Sequence, residues 1–285
     1  MAAAPAGPRS ASSSISGANL SITDAEFAQF QKLIYKIAGI SLSDAKKILL
    51  AGRLSRRVRH HQLSSFAEYY RLVSGSQAGE ELQIMVDLLT TNETYFFREG
   101  KHFDFLRQQV LANRPAGRQF DVWSAACSTG EEVYTLAMVL ADELGADGPW
   151  SIMGSDISTQ VLRLAASGHY PMERTRGMPP EYLKKYCLKG VREQAGTFLI
   201  DQRLRNHVRF SQINLNASLP DVGTFDVIFL RNVMIYFDQE TKRKVVAQLA
   251  QRLKPGGHFI IGHSETLNGI NETLRPVQPT IYMRP

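Results

Sequence analysis

Seven small residues, Ser124 to Gly130, and one acid, Asp156, are the groups in this chain best suited by type and spacing to hold a small ligand. They sit in the stretch QFDVWSAACSTGEEVYTLAMVLADELGADGPWSIMGSDI, from Gln119 to Ile157. A turn of small side chains lets a ligand approach the backbone. An acid at the end of the next strand can accept hydrogen bonds from both hydroxyls of a ribose. Gly130 is the only glycine of the turn, so the phosphate-cradling G-x-G-x-x-G pattern is absent and a nucleoside without phosphates fits better. Plain strand–helix–strand packing would give the same pattern, and both readings stand on these residues alone. Cys127, within the turn, could be a nucleophile or a small buried filler.

The elements that must position these groups are legible from periodicity. Phe120 to Ala126 has the apolar run of a strand buried on both faces, and Trp150 to Gly154 is a second. Between them Leu136, Val139, Leu140 and Leu144 repeat at helical spacing. Val208 to Leu215 resumes the sheet, and Phe225 to Leu230 is a strongly buried strand with Arg231 and Asn232 at its carboxyl end, where open α/β sheets bind ligands. Glu240 to Leu253 predicts a helix, stopped by Lys254-Pro255-Gly256-Gly257. His258 to Gly262 predicts a strand and Thr280 to Met283 a last edge strand. From Gly168 to about His207 prolines break the rhythm. This stretch reads as an inserted antiparallel subdomain at about 170–208, with short strands at Thr197 to Ile200, expected at its edge, and Val208 to Phe210.

The N-terminal third is helical. Acids in the first turn after Ser21 open a helix carrying Phe27, Phe30, Ile34 and Ile37 on one face, and Gly39 ends it. The next helix, near Asp44 to His60, is the basic one. It holds six lysines and arginines against one aspartate, a net of +5 in a chain whose total is +6. Leu50, Ala51, Leu54 and Val58 share one face, while Lys46, Arg53, Arg56, Arg57 and His60 cluster on another. Such concentration predicts a surface, including Arg59, that meets an acidic partner, either nucleic acid or an acidic protein helix. Shorter helices follow at Ser64 to Val73 and Glu80 to Leu89. Thr90 to Glu99 reads as a ligand-facing linker, and a helix from Phe103 ends near Asn113.

Composition sets the class. With 285 residues, 44% of them hydrophobic, and a mean hydropathy of −0.20, the chain has the material for a sizeable core and no run long enough to span a membrane. Cys127 and Cys187 form no disulfide framework or metal spacing, which predicts reduced thiols in a cytosolic protein. Residues 1–20, rich in Ala, Ser, Pro and Gly, predict a disordered tail without the apolar core of a signal peptide. The expected organisation is this tail, a helical domain over 21–90, a linker and linking helix over 91–118, and an α/β domain over 119–285.

Five segments together carry a family resemblance: TTNETYFFRE (90–99), VWSAACSTGEEVYTLAM (122–138), GSDIS (154–158), FLRNVMIYF (229–237) and LKPGGHFIIGHSE (253–265). From about residue 25 to the end the chain resembles the CheR chemotaxis receptor methyltransferases. The resemblance implies a small all-α N-terminal domain and a Rossmann-like methyltransferase domain binding S-adenosylmethionine, with an antiparallel β subdomain inserted in it. It also implies methylation of glutamate side chains on the cytoplasmic helices of chemoreceptors. By the same resemblance Asn92, Thr94 and Arg98 reach the cofactor from the linker, and Ala126 and Glu132 lie near its amino-acid end. Asp156 and Ile157 lie at the ribose, Asn214 and Leu215 around the adenine, and Leu230 and Arg231 close the site. Arg98 and Tyr236 are expected beside the reacting atoms. The basic residues Lys46, Arg53, Arg56, Arg57 and Arg59 are expected to meet the receptor. Some members of the family hold a receptor's C-terminal tail on the β subdomain, and Lys189 and Arg192 are available for an acidic one. The expected enzyme is a monomer that needs no metal.

That chemistry explains an absence. A sulfonium donor is already a strong electrophile, and a glutamate with a reference pKa of about 4.3 is already ionised at neutral pH. Alignment and exclusion of water suffice, the former supplying about 7–11 kcal/mol in favourable intramolecular cases. No general base is needed, and His263 near Glu265 reads as structural. Three rivals make different demands. A nucleic-acid methyltransferase with a basic reader domain often carries an N/D-P-P-Y-like motif where this chain has Leu-Arg-Asn-Val. A nicotinamide dehydrogenase fits poorly with one glycine in the turn and no tyrosine followed four residues later by lysine. An inactive binding module would have no reason to keep the cofactor-facing residues.

Overall fold

The computed structural model describes residues 20–76 and 78–285, so the expected tail lies outside the described residues except for Leu20. Helix α1 (Asp24–Ala38) begins at a capping box in which Thr23 and Glu26 satisfy each other's end of the first turn, and it stops at Gly39. Gly39 takes the left-handed backbone (φ +70°), and a side chain there would run into Thr241 at 2.6 Å. A short turn over Asp44–Lys46 leads into α2 (Lys47–His60), which buries Leu50, Leu54 and Val58 as its spacing predicts. Helices α3 (Phe66–Ser74) and α4 (Gly79–Leu89) complete a four-helix unit. The linker then crosses to α5 (Lys101–Phe105), which continues as a π turn over Leu106–Leu111.

The α/β unit runs β1 (Phe120–Ser124), α6 (Glu131–Leu144), β2 (Trp150–Asp156) and α7 (Thr159–Ser167), the last a helix that the sequence reading passed over. The insertion follows: β3 (His169–Pro171), α8 (Pro180–Tyr186), β4 (Cys187–Lys189), β5 (Thr197–Ile200) and α9 (Gln202–Arg205). The chain then returns through β6 (Val208–Gln212), β7 (Phe225–Leu230), α10 (Gln239–Ala250), β8 (Leu253–Ile261), β9 (Arg275–Gln278) and β10 (Ile281–Met283).

Seven strands form one mixed sheet in the order β6-β2-β1-β7-β8-β10-β9. The five from β6 to β8 are parallel, and β10 and β9 add on antiparallel. The strand order reverses between β1 and β7, which makes their carboxyl ends the place for a ligand. Alternation puts Val122 on one face of β1 and Trp123 on the other, and both are buried. One hydrophobic core joins α1–α4 to the Trp123 face of the sheet. A second packs α5, α6 and the small sheet against the Val122 face.

Four local expectations change. Thr197–Ile200 is the central strand of the small sheet, ordered β3-β5-β4, because both three-residue strands pair with it. Val208–Phe210 belongs to the large sheet through its pairing with Ile152–Gly154, not to the insertion. The terminal strand β10 lies inside the sheet, and the exposed β9 is the edge. The Lys254-Pro255-Gly256-Gly257 segment lies within β8, where the pairing register slips against β7, so the helix ends earlier, at Ala250.

Candidate functional site

A cavity of about 470 Å³ opens at the carboxyl ends of β1, β2 and β7, within the size range of small-molecule sites. Three parts of the chain build its walls: the sheet ends, the linker 89–98, and the N-terminal helices from Ala38 to Arg53.

The turn after β1 is shaped by packing as much as by any ligand. Gly130 has φ +93°, and a Cβ there would meet Ala165 at 2.8 Å and the Tyr170 hydroxyl at 3.0 Å. Tyr170 in turn donates to the Thr129 carbonyl at 2.7 Å. Ser128 points its hydroxyl to the Asn92 carbonyl (2.9 Å), which ties the turn to the linker. The Cys127 thiol is buried, and burial raises its pKa well above the ordinary value, which suits a filler and not a nucleophile.

Asp156 ends β2 with its carboxylate in the cavity wall. It accepts the backbone N–H of Ser128 at 2.9 Å and of Ser158 at 3.0 Å. Burial pushes its pKa up, while these donors oppose the rise. Ile157 lies beside it and is held through its carbonyl by Gln83 and Gln212. Asn214 and Leu215 also line the cavity. The Asn214 amide donates to the Ile37 carbonyl at 2.7 Å and its oxygen accepts from the Asn216 N–H, so that side chain ties α1 to the α/β unit.

On the other side Asn92, Thr94, Arg98, Ala126, Glu132 and Arg231 share the wall. Arg231 is buried and spends its charge internally. It bonds Glu132 at 2.8 Å and Glu99 at 2.9 Å, and also donates to the Arg98 carbonyl. Glu132 is further held by Ser124 at 2.7 Å. Arg98 differs: it donates to the Glu93 carbonyl at 2.9 Å, stacks over the Tyr95 ring, and meets no carboxylate among the described residues. Tyr236, on a single 3-10 turn at Met234–Tyr236, lines the cavity too. Leu230 does not: it is fully buried on the core face of β7, one pleat away from Arg231.

The turn that carries Tyr236 is organised by Glu265, which sequence reasoning left aside. Its carboxylate accepts the backbone N–H groups of Asn232 (2.9 Å), Met234 (2.8 Å) and Gly262 (2.7 Å). Asn232 sits in the left-handed region at φ +58°. No local pattern announces this role, because two of the three partners, Asn232 and Met234, lie beyond the end of a different strand, β7. Glu99, His102 and His263 also converge, with potential ligand atoms within 4.8 Å of one another. The Arg231 guanidinium already occupies the cation's place on Glu99, and burial lowers the His102 pKa to about 3.

The basic helix divides. Arg57 bonds Glu81 (2.8 Å), which also accepts from Tyr69 at 2.8 Å, so Arg57 works inside the helical unit. Arg53 donates to the carbonyls of Leu89 (3.2 Å) and Thr90 (3.0 Å) and braces the linker. These acceptors are neutral, so its charge is not cancelled. Lys46, at the cavity mouth, and Arg56 and Arg59 are exposed, with no carboxylate partner among the described residues.

Residues 25–90 match the family model described as "CheR methyltransferase, all-alpha domain", and residues 92–283 match "CheR methyltransferase, SAM binding domain". The chemotaxis protein methyltransferase of Escherichia coli (strain K12) is 42% identical over 265 residues, covering 92% of each chain. Chemotaxis protein methyltransferase 2 of Pseudomonas aeruginosa is 42% identical over 266 residues, 91% of this chain and 93% of that one. The chemotaxis protein methyltransferase of Borreliella burgdorferi is 36% identical over 276 residues, 93% of this chain and 96% of that one.

Proposed function

The chain belongs to the CheR methyltransferase family, and from that premise we propose how its cavity performs S-adenosylmethionine-dependent methylation of glutamate side chains on the cytoplasmic helices of chemoreceptors. The working parts are a helical domain over 21–90, a linker and linking helix over 91–118, and a methyltransferase domain over 119–285. Bound in the cavity, S-adenosylmethionine supplies an electrophilic methyl group and leaves as S-adenosylhomocysteine. Everything else falls to the chain's own side chains.

Asp156 takes the ribose hydroxyls, with Ile157 alongside, and the backbone at Asn214 and Leu215 flanks the adenine. Asn92, Thr94, Ala126 and Glu132 hold the amino-acid end. Arg231 fixes Glu132 and the linker, so it acts by holding the wall rigid. Leu230 supports the site from the core. Arg98, whose charge meets no carboxylate within the described residues, pins the acceptor glutamate, and Tyr236 closes the pocket over the reacting methyl group. Lys46, Arg56 and Arg59 draw in the acidic receptor helix, and Arg53 adds its uncancelled charge from the linker side. Arg57 supports that face through Glu81.

The observation that carries this reading is that one cavity gathers Asp156, Arg98 and Tyr236 at the switch point of the sheet, with no histidine in its wall among the described residues. An acceptor that is already ionised needs none. Calorimetry should show one S-adenosylhomocysteine site per chain. Single-turnover methylation of receptor-bearing membranes should stay nearly flat from about pH 6.5 to 8.5. Absence of product binding, or a titration in that window removed by replacing one histidine, would overturn the reading.

In the same reading the enzyme is a cytoplasmic monomer, and the small sheet serves a receptor tail. With Thr197–Ile200 central, a tail strand would add beside β4, where Leu188 and Val191 stand exposed and Lys189 and Arg192 can face acidic residues. Titrating a peptide of the receptor's last residues, with and without its aromatics, tests this. No binding at high micromolar peptide removes it.

A further inference from the structure

Large apolar side chains that stand in solvent gather at the cavity mouth. Leu49 is 43% exposed, Tyr95 44% and Ile235 52%, and all three line the opening. Ile48, beside Leu49 on the outer face of α2, is 85% exposed. They come from three separate elements: α2, the linker, and the turn that carries Tyr236. Backbone bonds lock two sides of the opening together. Ser41 donates to the Tyr236 carbonyl at 2.8 Å, and Ile40 pairs with Phe237 as an antiparallel bridge. Arg53 of α2 in turn holds the linker through the Leu89 and Thr90 carbonyls, so the elements that carry these side chains are tied to one another. Isolated exposed apolar residues need no explanation, but three around one opening, with Ile48 exposed on the adjoining position of α2, mark a contact surface.

We propose that Ile48, Leu49, Tyr95 and Ile235 form an apolar collar that grips the receptor helix on either side of the acceptor glutamate and seals water out of the cavity. The proposal rests on the function given above and adds to it the means of recognition. Charge fixes the occupant. Lys46 and Arg53 line the same opening and Arg56 is exposed on α2, and none of them meets a carboxylate among the described residues. A mouth with an apolar rim and basic flanks fits an amphipathic helix that carries acids on one stripe and apolar residues a turn away on another. The reaction also gains from the seal. A carboxylate surrounded by water is a poor nucleophile, and covering the opening with apolar surface removes that water only when the correct helix is seated. Basic residues alone would attract any acidic surface, whereas the collar selects helices whose neighbouring positions are apolar.

The test compares the wild type with Ile235→Ser, with Ile48→Ser/Leu49→Ser, and with Arg56→Glu, using receptor-bearing membranes as substrate. All four replaced side chains are exposed, Ile48 and Ile235 by half or more, which leaves the fold intact; circular dichroism and S-adenosylhomocysteine affinity check this. The collar variants should raise KM for receptor at least fivefold and leave product affinity within twofold. Their loss should be the same at about 50 and 500 mM salt, since only charge contacts are screened. The Arg56→Glu loss should shrink at the higher salt. Collar variants with wild-type KM, or with a loss that fades with salt as the arginine variant's does, would overturn the proposal. Failure of the wild type itself to bind S-adenosylhomocysteine or to methylate receptor would instead strike the function it rests on.

Discussion

Arg98 and Arg231 are both arginines of the cavity wall, and their partners separate their work. Arg231 faces two carboxylates and is committed to structure, whereas Arg98 bonds only a carbonyl and its charge meets no carboxylate among the described residues. Nothing local in Phe-Leu-Arg-Asn distinguishes a ligand-binding arginine from a buried brace, because Glu99 and Glu132 come from distant segments. The place of Asp156 in the cavity wall was legible, since the end of a second parallel strand lies where open α/β sheets take ligands. Asp156→Ala should weaken S-adenosylhomocysteine at least tenfold, the worth of about one charge-assisted contact, read by calorimetry. Unchanged affinity would take Asp156 out of the site. Arg57 shows the opposite lesson, since its charge was counted as surface and is spent on Glu81. Arg57→Ala leaves the buried Glu81 carboxylate with only Tyr69 and His61 and should cost about 2 kcal/mol of stability, the worth of a charge-assisted hydrogen bond, with product affinity unchanged, read by denaturant unfolding.

At the scale of elements, helices with a clean apolar period were readable and short strands were not. Three-residue β3 and β4 carry too few residues to show alternation, and edge or centre is decided by partners elsewhere in the chain. Glycines mislead in the same way: Gly256 and Gly257 look like a stop and instead accommodate a slipped register at the start of β8. The turn from Asn232 to Tyr236 depends on the Glu265 carboxylate for two of its backbone donors, Asn232 and Met234, and the same carboxylate takes the N–H of Gly262 at the end of β8. Glu265→Ala leaves those N–H groups without a partner, at about 1 kcal/mol or more each. We expect the methylation rate to fall at least tenfold as Tyr236 loses its position, with Glu265→Gln intermediate because one acceptor oxygen survives. A wild-type rate in the alanine variant would show that the turn holds itself. The helical unit has its own acid limit. Burial raises the Glu81 pKa, but Arg57, His61 and Tyr69 outweigh it and hold the carboxyl at about 2. A folded pKa below the unfolded one gives stability that is full above about pH 4.5 and is lost as pH falls towards 2. Far-UV circular dichroism should show this loss in the wild type and a shallower one in Glu81→Gln.

The whole molecule is more continuous than its sequence suggests. A composition shift and a polar linker separate helices from sheet on paper, yet α1–α4 share a core with Trp123, Ile228 and Phe259. Asp87, on α4, accepts the first backbone N–H groups of α7 at 3.1 and 3.2 Å, and Asn214 reaches back to α1. Such contacts are tertiary and leave no periodic trace, which explains why a boundary near residue 90 could be drawn while its closure could not. The shared core has a mechanical consequence. A hinge between the two units would have to open dry interior, so substrate entry cannot rely on their swinging apart. Stretched in an optical trap, the molecule should release its helices and its sheet in a single step, and product should raise the force of that step. Two separable steps would mean that the seam is weaker than its packing implies.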